Sequence, residues 1–407
     1  MITKFFVTLF SSLILTGCAT YQSRVAPARD QIRNGQCDPA LKFLNELSQK
    51  PDGDQLVHLM EYGSALQICK EYELSNQIFL KADKLSDELD YHSATRVLGA
   101  TLLNEEMIQY KGDTFEKLFI NVSAALNYLQ LGQLDEALVE VRRINDKFKK
   151  LNLDDKKKFE LNSFSQYMSG LIWEMDRKFD DACISYKAAY RLDSSFRGVG
   201  LDMLRGCWLA KRTQEFDLLV SEVAPSEEEL KNIKQKSNHE IIFIFLQGWG
   251  PRKAPRPDSA TFPYLVPVSS TTQKLQVKIE NLKVLSQPVY SVEKAAIATL
   301  NEDYASLVAR RVGARVAKEV LAAQIRQNDK ALGQLAWLVM VASEKADLRQ
   351  WSMLPETIQV VRLVSTNNSD NIILTGLDRN DNLSESFEVI DSKQLKKKNI
   401  FLIRSLK

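Results

Sequence analysis

Histidine is scarce in this chain of 407 residues: His58, His92 and His239 are the only three, far apart in sequence. That argues against a histidine-based metal centre. Charge of one sign is also lacking. Lys+Arg 54 against Asp+Glu 52 leaves a formal net charge of +2, so no bulk basicity points to nucleic acid. No apolar run is long enough to span a bilayer; the two longest, Phe5–Leu15 and Leu335–Ala342, both fall short of about 20 residues. Missing too are the H-E-x-x-H, G-x-S-x-G, P-loop and C-x-x-C patterns that carry metal, acyl-transfer and phosphate chemistry. With 44% hydrophobic and 26% charged residues, what remains is a folded body of ordinary composition.

The N-terminus reads as a processing segment. Lys4 supplies a positive charge, Phe5–Leu15 an apolar core, and Leu15-Thr16-Gly17-Cys18 resembles the bacterial lipobox. Small residues there enter a signal peptidase cleft, and the Cys18 thiol takes the lipid. The resemblance implies a signal peptide over 1–17, diacylglyceride and palmitate on Cys18, and a lipidated N-terminus with a short linker over 18–30. Ala19 rather than Asp after the cysteine implies the outer membrane, with the body facing the periplasm.

Residues 31–236 show three-four apolar spacing and few prolines, the mark of packed helices. An internal repeat aligns on a small residue in each second helix. Gly170, Trp173, Ala182, Tyr186 and Ala189 occupy tetratricopeptide positions. Ala125, Tyr128, Gly132, Ala137, Val141 and Ile144 repeat them, and Gly63, Leu66, Ser75, Phe79 and Ala82 do so more loosely. Gly35 with Ala40, Leu44 and Leu47 opens the array. The expectation is a TPR-like α-solenoid, a shape that commonly binds protein segments.

Four cysteines remain after Cys18, and three pairings are possible in an oxidising compartment. The repeat register puts Cys37 early in a second helix and Cys69 late in the next first helix, which are antiparallel neighbours. Cys183 and Cys207 stand in a similar relation. The expected disulfides are Cys37–Cys69 and Cys183–Cys207, with free buried thiols as the alternative.

Over 237–407 the pattern becomes mixed. Ile241–Leu246 is a continuous apolar run rich in β-formers, read as a buried strand. Prolines 251, 255, 257, 263 and 267 suggest an irregular loop exposing Arg252, Lys253 and Arg256. Strands are expected at Tyr264–Val268, Leu275–Ile279, Thr357–Val364, Ile372–Leu377, Glu385–Ile390 and Asn399–Ile403. Helices are expected over Ser291–Gln327, either continuous or broken near Gly313, and over Leu332–Lys345. This is an α+β domain of antiparallel strands with packed helices.

Ala346-Asp347-Leu348-Arg349-Gln350-Trp351, with Leu354-Pro355, Ile358-Gln359 and Arg362-Leu363, resembles the signature of an uncharacterised Gram-negative outer-membrane lipoprotein family with tetratricopeptide-like repeats. Gly248 with Pro251-Arg252-Lys253, and Ala125–Tyr128 with Glu140–Arg143, fit the same family. Ser365–Asn368 departs from the Pro-Gly turn expected there. The resemblance implies an envelope scaffold without an assigned activity, in the neighbourhood of peptidoglycan synthesis.

Candidate partner-binding residues are Trp249, Arg252, Lys253, Asp347, Arg349 and Trp351. A second reading has Asp347, Arg349 and Trp351 tie a helix end to the sheet by an ion pair and a buried indole, and has Trp249 cap the sheet. Arg310, Arg311, Arg315 and Lys318 form a basic helical face, and Arg142–Lys158 is a basic stretch; both read as solvated. Ser291-Val292-Glu293-Lys294 matches S-x-x-K, but its companion motifs are absent and Ser291 stands where an N-cap belongs. The leading expectation is a non-enzymatic scaffold or regulator binding a periplasmic protein, with no cofactor. The alternatives are a structural subunit of an envelope export or surface-assembly complex, and an envelope serine hydrolase using Ser291 and Lys294.

Overall fold

The computed structural model describes residues 20–96, 109–152, 162–235, 240–279, 282–342, 344–364, 371–391 and 400–407. The leader, Cys18, His239, Lys156–Lys158 and Ser365–Asn368 lie outside them, as do the side chains of His92 and Arg310.

Among the described residues ten helices pair into five hairpins: α1 (Tyr21–Arg33) with α2 (Cys37–Ser48), α3 (Gln55–Ile68) with α4 (Tyr72–Arg96), α5 (Thr114–Gln130) with α6 (Leu134–Asn152), α7 (Ser163–Met175) with α8 (Phe179–Leu192), and α9 (Arg197–Leu209) with α10 (Thr213–Val223). A short α11 (Glu227–Lys234) follows. Each hairpin turns through one residue of positive φ: Gly35, Lys70, Gly132, Arg177 and Lys211. Two of the five are glycines, which adopt that conformation freely, and three are not, so glycine spacing alone undercounts the array. The array therefore has one hairpin more than the sequence pattern shows, and it starts earlier.

Where the sequence suggests a linker through Asp30, the chain is already helical from Tyr21. Thr20 caps the helix by accepting from the Ser23 N–H, and Tyr21, Val25, Ala28 and Ile32 are buried at helical spacing. Pro27 inside that helix removes one main-chain donor and obscures the pattern. Helices within a hairpin approach closely at glycine. A Cβ on Gly63 would lie 2.7 Å from the Phe79 ring, and one on Gly170 would lie 2.6 Å from the Tyr186 ring. The cysteines pair as Cys37–Cys69 and Cys183–Cys207, joining neighbouring hairpins and then the two helices α8 and α9.

The second half is built from two four-stranded sheets. In the first the order is β10 (Ile400–Arg404), β1 (Glu240–Gln247), β7 (Thr357–Val364), β6 (Gln287–Ser291). The second runs β5 (Leu282–Leu285), β4 (Lys274–Ile279), β8 (Ile373–Leu377), β9 (Leu383–Ser386), all antiparallel. In the first sheet β1 pairs antiparallel with β7 but parallel with β10, so the domain is not purely antiparallel.

Side-chain alternation explains the layering. Ile242, Ile244 and Leu246 of β1 join the core with the helices, while Ile241, Phe243 and Phe245 join the core with the second sheet. Ile358 and Val360 of β7 face the helices, and Val361 and Leu363 face the other way. The first sheet is thus buried on both faces, which is why β1 reads as an uninterrupted apolar run.

Three further elements depart from expectation or decide between its alternatives. The proline-rich segment is a hairpin, β2 (Arg252–Arg256) with β3 (Ser259–Val266), set apart from both sheets. Proline is tolerated there because a two-stranded ribbon is all edge; Pro255 faces Pro263, and the register shifts at Pro255/Arg256. Helix α12 (Val292–Asn328) runs through Gly313 without a break, then packs on α13 (Lys330–Ala342). In place of a strand over Glu385–Ile390, β9 ends at Ser386 and Ile390 makes an isolated bridge to Ile372.

Candidate functional site

The first helices of the second, third and fourth hairpins are buried almost all round. In α3 eleven residues are buried, the titratable His58 and Glu61 among them, and α5 is similar. A helix covered on every side has an element packed on each face. On one side that element is the second helix of the hairpins; on the other it is this chain's own C-terminal half.

The contact is made by residues 346–355, the segment between α13 and β7. Its main chain is held by two buried carboxylates. Glu61 accepts from the Ser352 N–H at 2.8 Å, the Ser352 hydroxyl at 2.5 Å and the Met353 N–H at 3.1 Å. Tyr21 donates its hydroxyl to the same Glu61 at 3.1 Å. Glu116 accepts from the Trp351 N–H at 2.8 Å and, through its other oxygen, from the Tyr110 hydroxyl at 2.6 Å and the Asp113 N–H at 2.9 Å. The Trp351 indole N–H donates to Ser64 Oγ at 2.8 Å, and Arg29 donates to the Ser352 hydroxyl at 2.8 Å. Burial raises the pKa of Glu61. Burial, reinforced by the Asp113 carboxylate, raises that of Glu116 to about 7.

The six candidate partner-binding residues all belong to this internal contact. Trp351 is buried against Phe79. Arg349 is buried, bridges Asp347 and Asp54 at 2.7 and 3.2 Å, and lies over the Tyr110 ring. The Lys253 ammonium stands 3.6 Å from Asp113 of the α5 cap. Trp249 is only 1% exposed and donates to the Leu406 carbonyl at 3.0 Å, so it is a cap on the sheet and not a protruding anchor. Arg252 donates to the Ser352 carbonyl at 2.7 Å. Lys253, Arg349 and Trp351 meet the helical half of the same chain, as the internal-tie reading has it, while Trp249 and Arg252 are held chiefly within the C-terminal half and not displayed on an open loop.

A second clamp lies further along the array. Arg362 of β7 meets Glu174 of α7 at 3.1 Å, Asp202 of α9 at 2.7 Å and Glu240 of β1 at 3.1 Å, and also donates to the Tyr186 hydroxyl at 2.9 Å. Arg205 joins Glu174 and Glu240 from α9. Burial would raise Glu174, but Arg362 and Arg205 overcome it and hold the carboxylate below its usual range.

Sequence reasoning missed Glu61, Glu116, Ser64 and Arg29. A signal was present in Leu59-Met60-Glu61-Tyr62-Gly63 and Phe115-Glu116-Lys117-Leu118-Phe119, where an acid interrupts an apolar stretch of a first helix. Such an acid is buried only where donors meet it.

Ser291 is a cap. Its hydroxyl accepts from the Lys294 N–H at 3.2 Å, while the Lys294 ammonium lies over the Phe196 ring. The proposed basic face of α12 is partly internal: Lys318 is buried on Glu344, Arg311 donates to the Lys345 carbonyl, and Arg315 stacks on Trp337. Among the described residues no helix is long and apolar enough to cross a membrane, and no group of three or more His, Cys, Asp or Glu is placed to hold a metal.

No family model and no curated protein matches the chain. Among solved structures it is similar to MamA from Desulfovibrio magneticus RS-1, at 15% identity over 52% of this chain and 94% of that one, with a TM-score of 0.32. It is also similar to the TPR-like repeats of a putative kinesin light chain from Podosopora anserina, at 13% identity over 53% and 97%, with a TM-score of 0.34. BtubC from P. vanneervenii gives 13% identity over 50% and 74%, with a TM-score of 0.32. Superpositions this loose carry no argument; the repeat architecture rests on the five hairpins themselves. The first half of the chain is a TPR-like helical array, and its first-helix face is filled by the α+β half.

Proposed function

We propose that the chain is a non-enzymatic protein-interaction scaffold, anchored through Cys18 to the periplasmic side of the outer membrane and working with a protein of envelope assembly. One observation carries the reading. The array uses its first-helix face to hold residues 346–355 and the first sheet, which joins the two halves through one continuous core and frees other surfaces for the partner. One of these is the α12–α13 pair, which meets the body chiefly at β3 and β7. Val312, Val316 and Val320 repeat at four-residue steps on α12, Leu332, Leu335 and Leu338 at three-residue steps on α13, and all six are more than half exposed.

The test is site-specific photo-crosslinking in intact envelopes from Val316 and Leu335, with Leu218 of α10 as a distant exposed control. A single protein captured in stoichiometric yield from both hairpin positions, and not from the control, is the expected result. Crosslinks only to lipid, or only to a second copy of the chain, would overturn the partner reading. Membrane fractionation of Cys18→Ala tests the anchor: release from the membrane fraction is expected.

A further inference from the structure

Most buried arginines here are matched to carboxylates. Arg362 has Glu174, Asp202 and Glu240, Arg349 has Asp347 and Asp54, and Arg205 has Glu174 and Glu240. Around Trp249 the pattern changes. Three guanidiniums from three separate elements gather on its indole: Arg33 at the end of α1, Arg252 at the start of β2 and Arg404 at the end of β10, at 5.6, 5.6 and 5.3 Å from the ring centroid.

Among the described residues, Arg252 and Arg404 donate only to main-chain carbonyls: Gly250 and Ser352 for the first, Leu246 and Met353 for the second. Arg33 has only Asp30, at a loose 3.8 Å. The nearest carboxylates are committed elsewhere. Glu61 is filled by Ser352, Met353 and Tyr21, and Glu385 accepts from Ser405 and Thr272.

The indole face offsets some of the repulsion between these cations, but Arg252 and Arg404 feel Glu61 and Glu385 only at a distance, with no carboxylate hydrogen-bonded to either among the described residues. Arginine does not relieve the strain by losing its proton. Burial first, then the neighbouring arginines, holds the pKa of Arg252 and of Arg404 down at about 9.

We infer that Arg33, Arg252 and Arg404 form a binding site for a phosphate-type oxyanion. Guanidinium forks match phosphate oxygens in pairs, and two or three of them match a doubly charged group better than a single carboxylate. The site opens to solvent at Arg33, which keeps 45% of its side chain exposed, with Arg252 and Arg404 lying deeper behind it. Arg404 also lines a cavity of about 330 Å³ whose walls include Met353, Leu354, Phe387, Phe401 and Leu406. A phosphate bearing an apolar body would fit that neighbourhood as well as a free one.

Two probes separate the sources. The full chain carrying Cys18→Ala, so that no acyl anchor contributes, is titrated with inorganic pyrophosphate at low ionic strength while its melting temperature is followed. The same protein is floated on phosphatidylcholine vesicles with and without phosphatidate. A concentration-dependent rise in melting temperature with pyrophosphate, lost in Arg404→Gln and weakened at least about tenfold in Arg33→Gln, is the expected result for a free phosphate. Phosphatidate-dependent flotation lost in the same variants assigns the site to a lipid phosphate. Arg33 is exposed, so its variant stays informative even if Arg404→Gln disturbs folding. Response to neither probe, or an equal response in wild type and both variants, overturns the site.

Discussion

Glu61 and Ser352 stand 291 positions apart in sequence, yet one carboxylate oxygen of Glu61 accepts both the main-chain N–H and the hydroxyl of Ser352. The pair fastens the loop before β7 to the second repeat of the helical array. With Glu116 and Trp351 it turns two halves that read separately into one body.

Glu61→Ala removes an acceptor from the Ser352 and Met353 N–H groups and the Tyr21 hydroxyl inside a buried interface. Orphaned buried donors cost about 1–3 kcal/mol each, so a loss of at least about 3 kcal/mol is expected. Urea denaturation checks it; an unchanged midpoint would show that the contact is not formed in solution.

Glu116 has a folded pKa of about 7, raised above the ordinary carboxylate value chiefly by burial. The folded state therefore binds a proton that the unfolded state has already released. The contribution to stability is fully present below the ordinary carboxylate pKa and is lost as pH rises through about 7. Glu61 is shifted the same way. Denaturation midpoints measured from pH 5 to 8 should decline, and Glu116→Gln, which fixes the neutral form, should flatten the decline.

Two helical glycines should respond oppositely to alanine. The Tyr186 ring is gripped between Gly170 and Gly206, where added Cβ atoms would lie at 2.6 and 2.8 Å, so Gly170→Ala should destabilise by about 1–3 kcal/mol. Nothing lies within 4 Å of a Cβ on Gly313, so Gly313→Ala should stabilise α12 by up to about 1 kcal/mol. Thermal melts of the two variants shifting in the same direction would contradict the packing described.

The disulfides close segments of 32 and 24 residues, each worth roughly 3 kcal/mol by loop closure. Reduction should lower the denaturation midpoint, and peptide maps of non-reduced protein should recover Cys37 with Cys69 and Cys183 with Cys207. A crossed pairing would contradict the hairpin register.

Ser291→Ala should cost about 1 kcal/mol, as loss of a helix cap does. A fluorophosphonate probe should leave the wild-type chain unlabelled at Ser291, because the Lys294 ammonium lies on Phe196 and not on the serine hydroxyl. Covalent label there would revive the hydrolase reading.

The sequence alone determined the helical repeats, the change of character near residue 240, and the strand at Thr357–Val364, because each rests on local periodicity within a few turns or a few pleats. It also marked Ala346–Trp351 as a distinctive stretch. Only the tertiary structure decided what that stretch does. Whether Trp351 faces a stranger or Ser64, and whether Arg252 lies on a loop or against Trp249, depends on contacts across hundreds of residues that leave no local period. The apolar alternation of β1 likewise could not say that one face meets helices and the other a second sheet, since both demand the same side chains. The charges could be counted in the sequence, but their pairing could not: Coulomb attraction depends on distance in space, and folding brought carboxylates to Arg362 while leaving Arg404 to main-chain carbonyls.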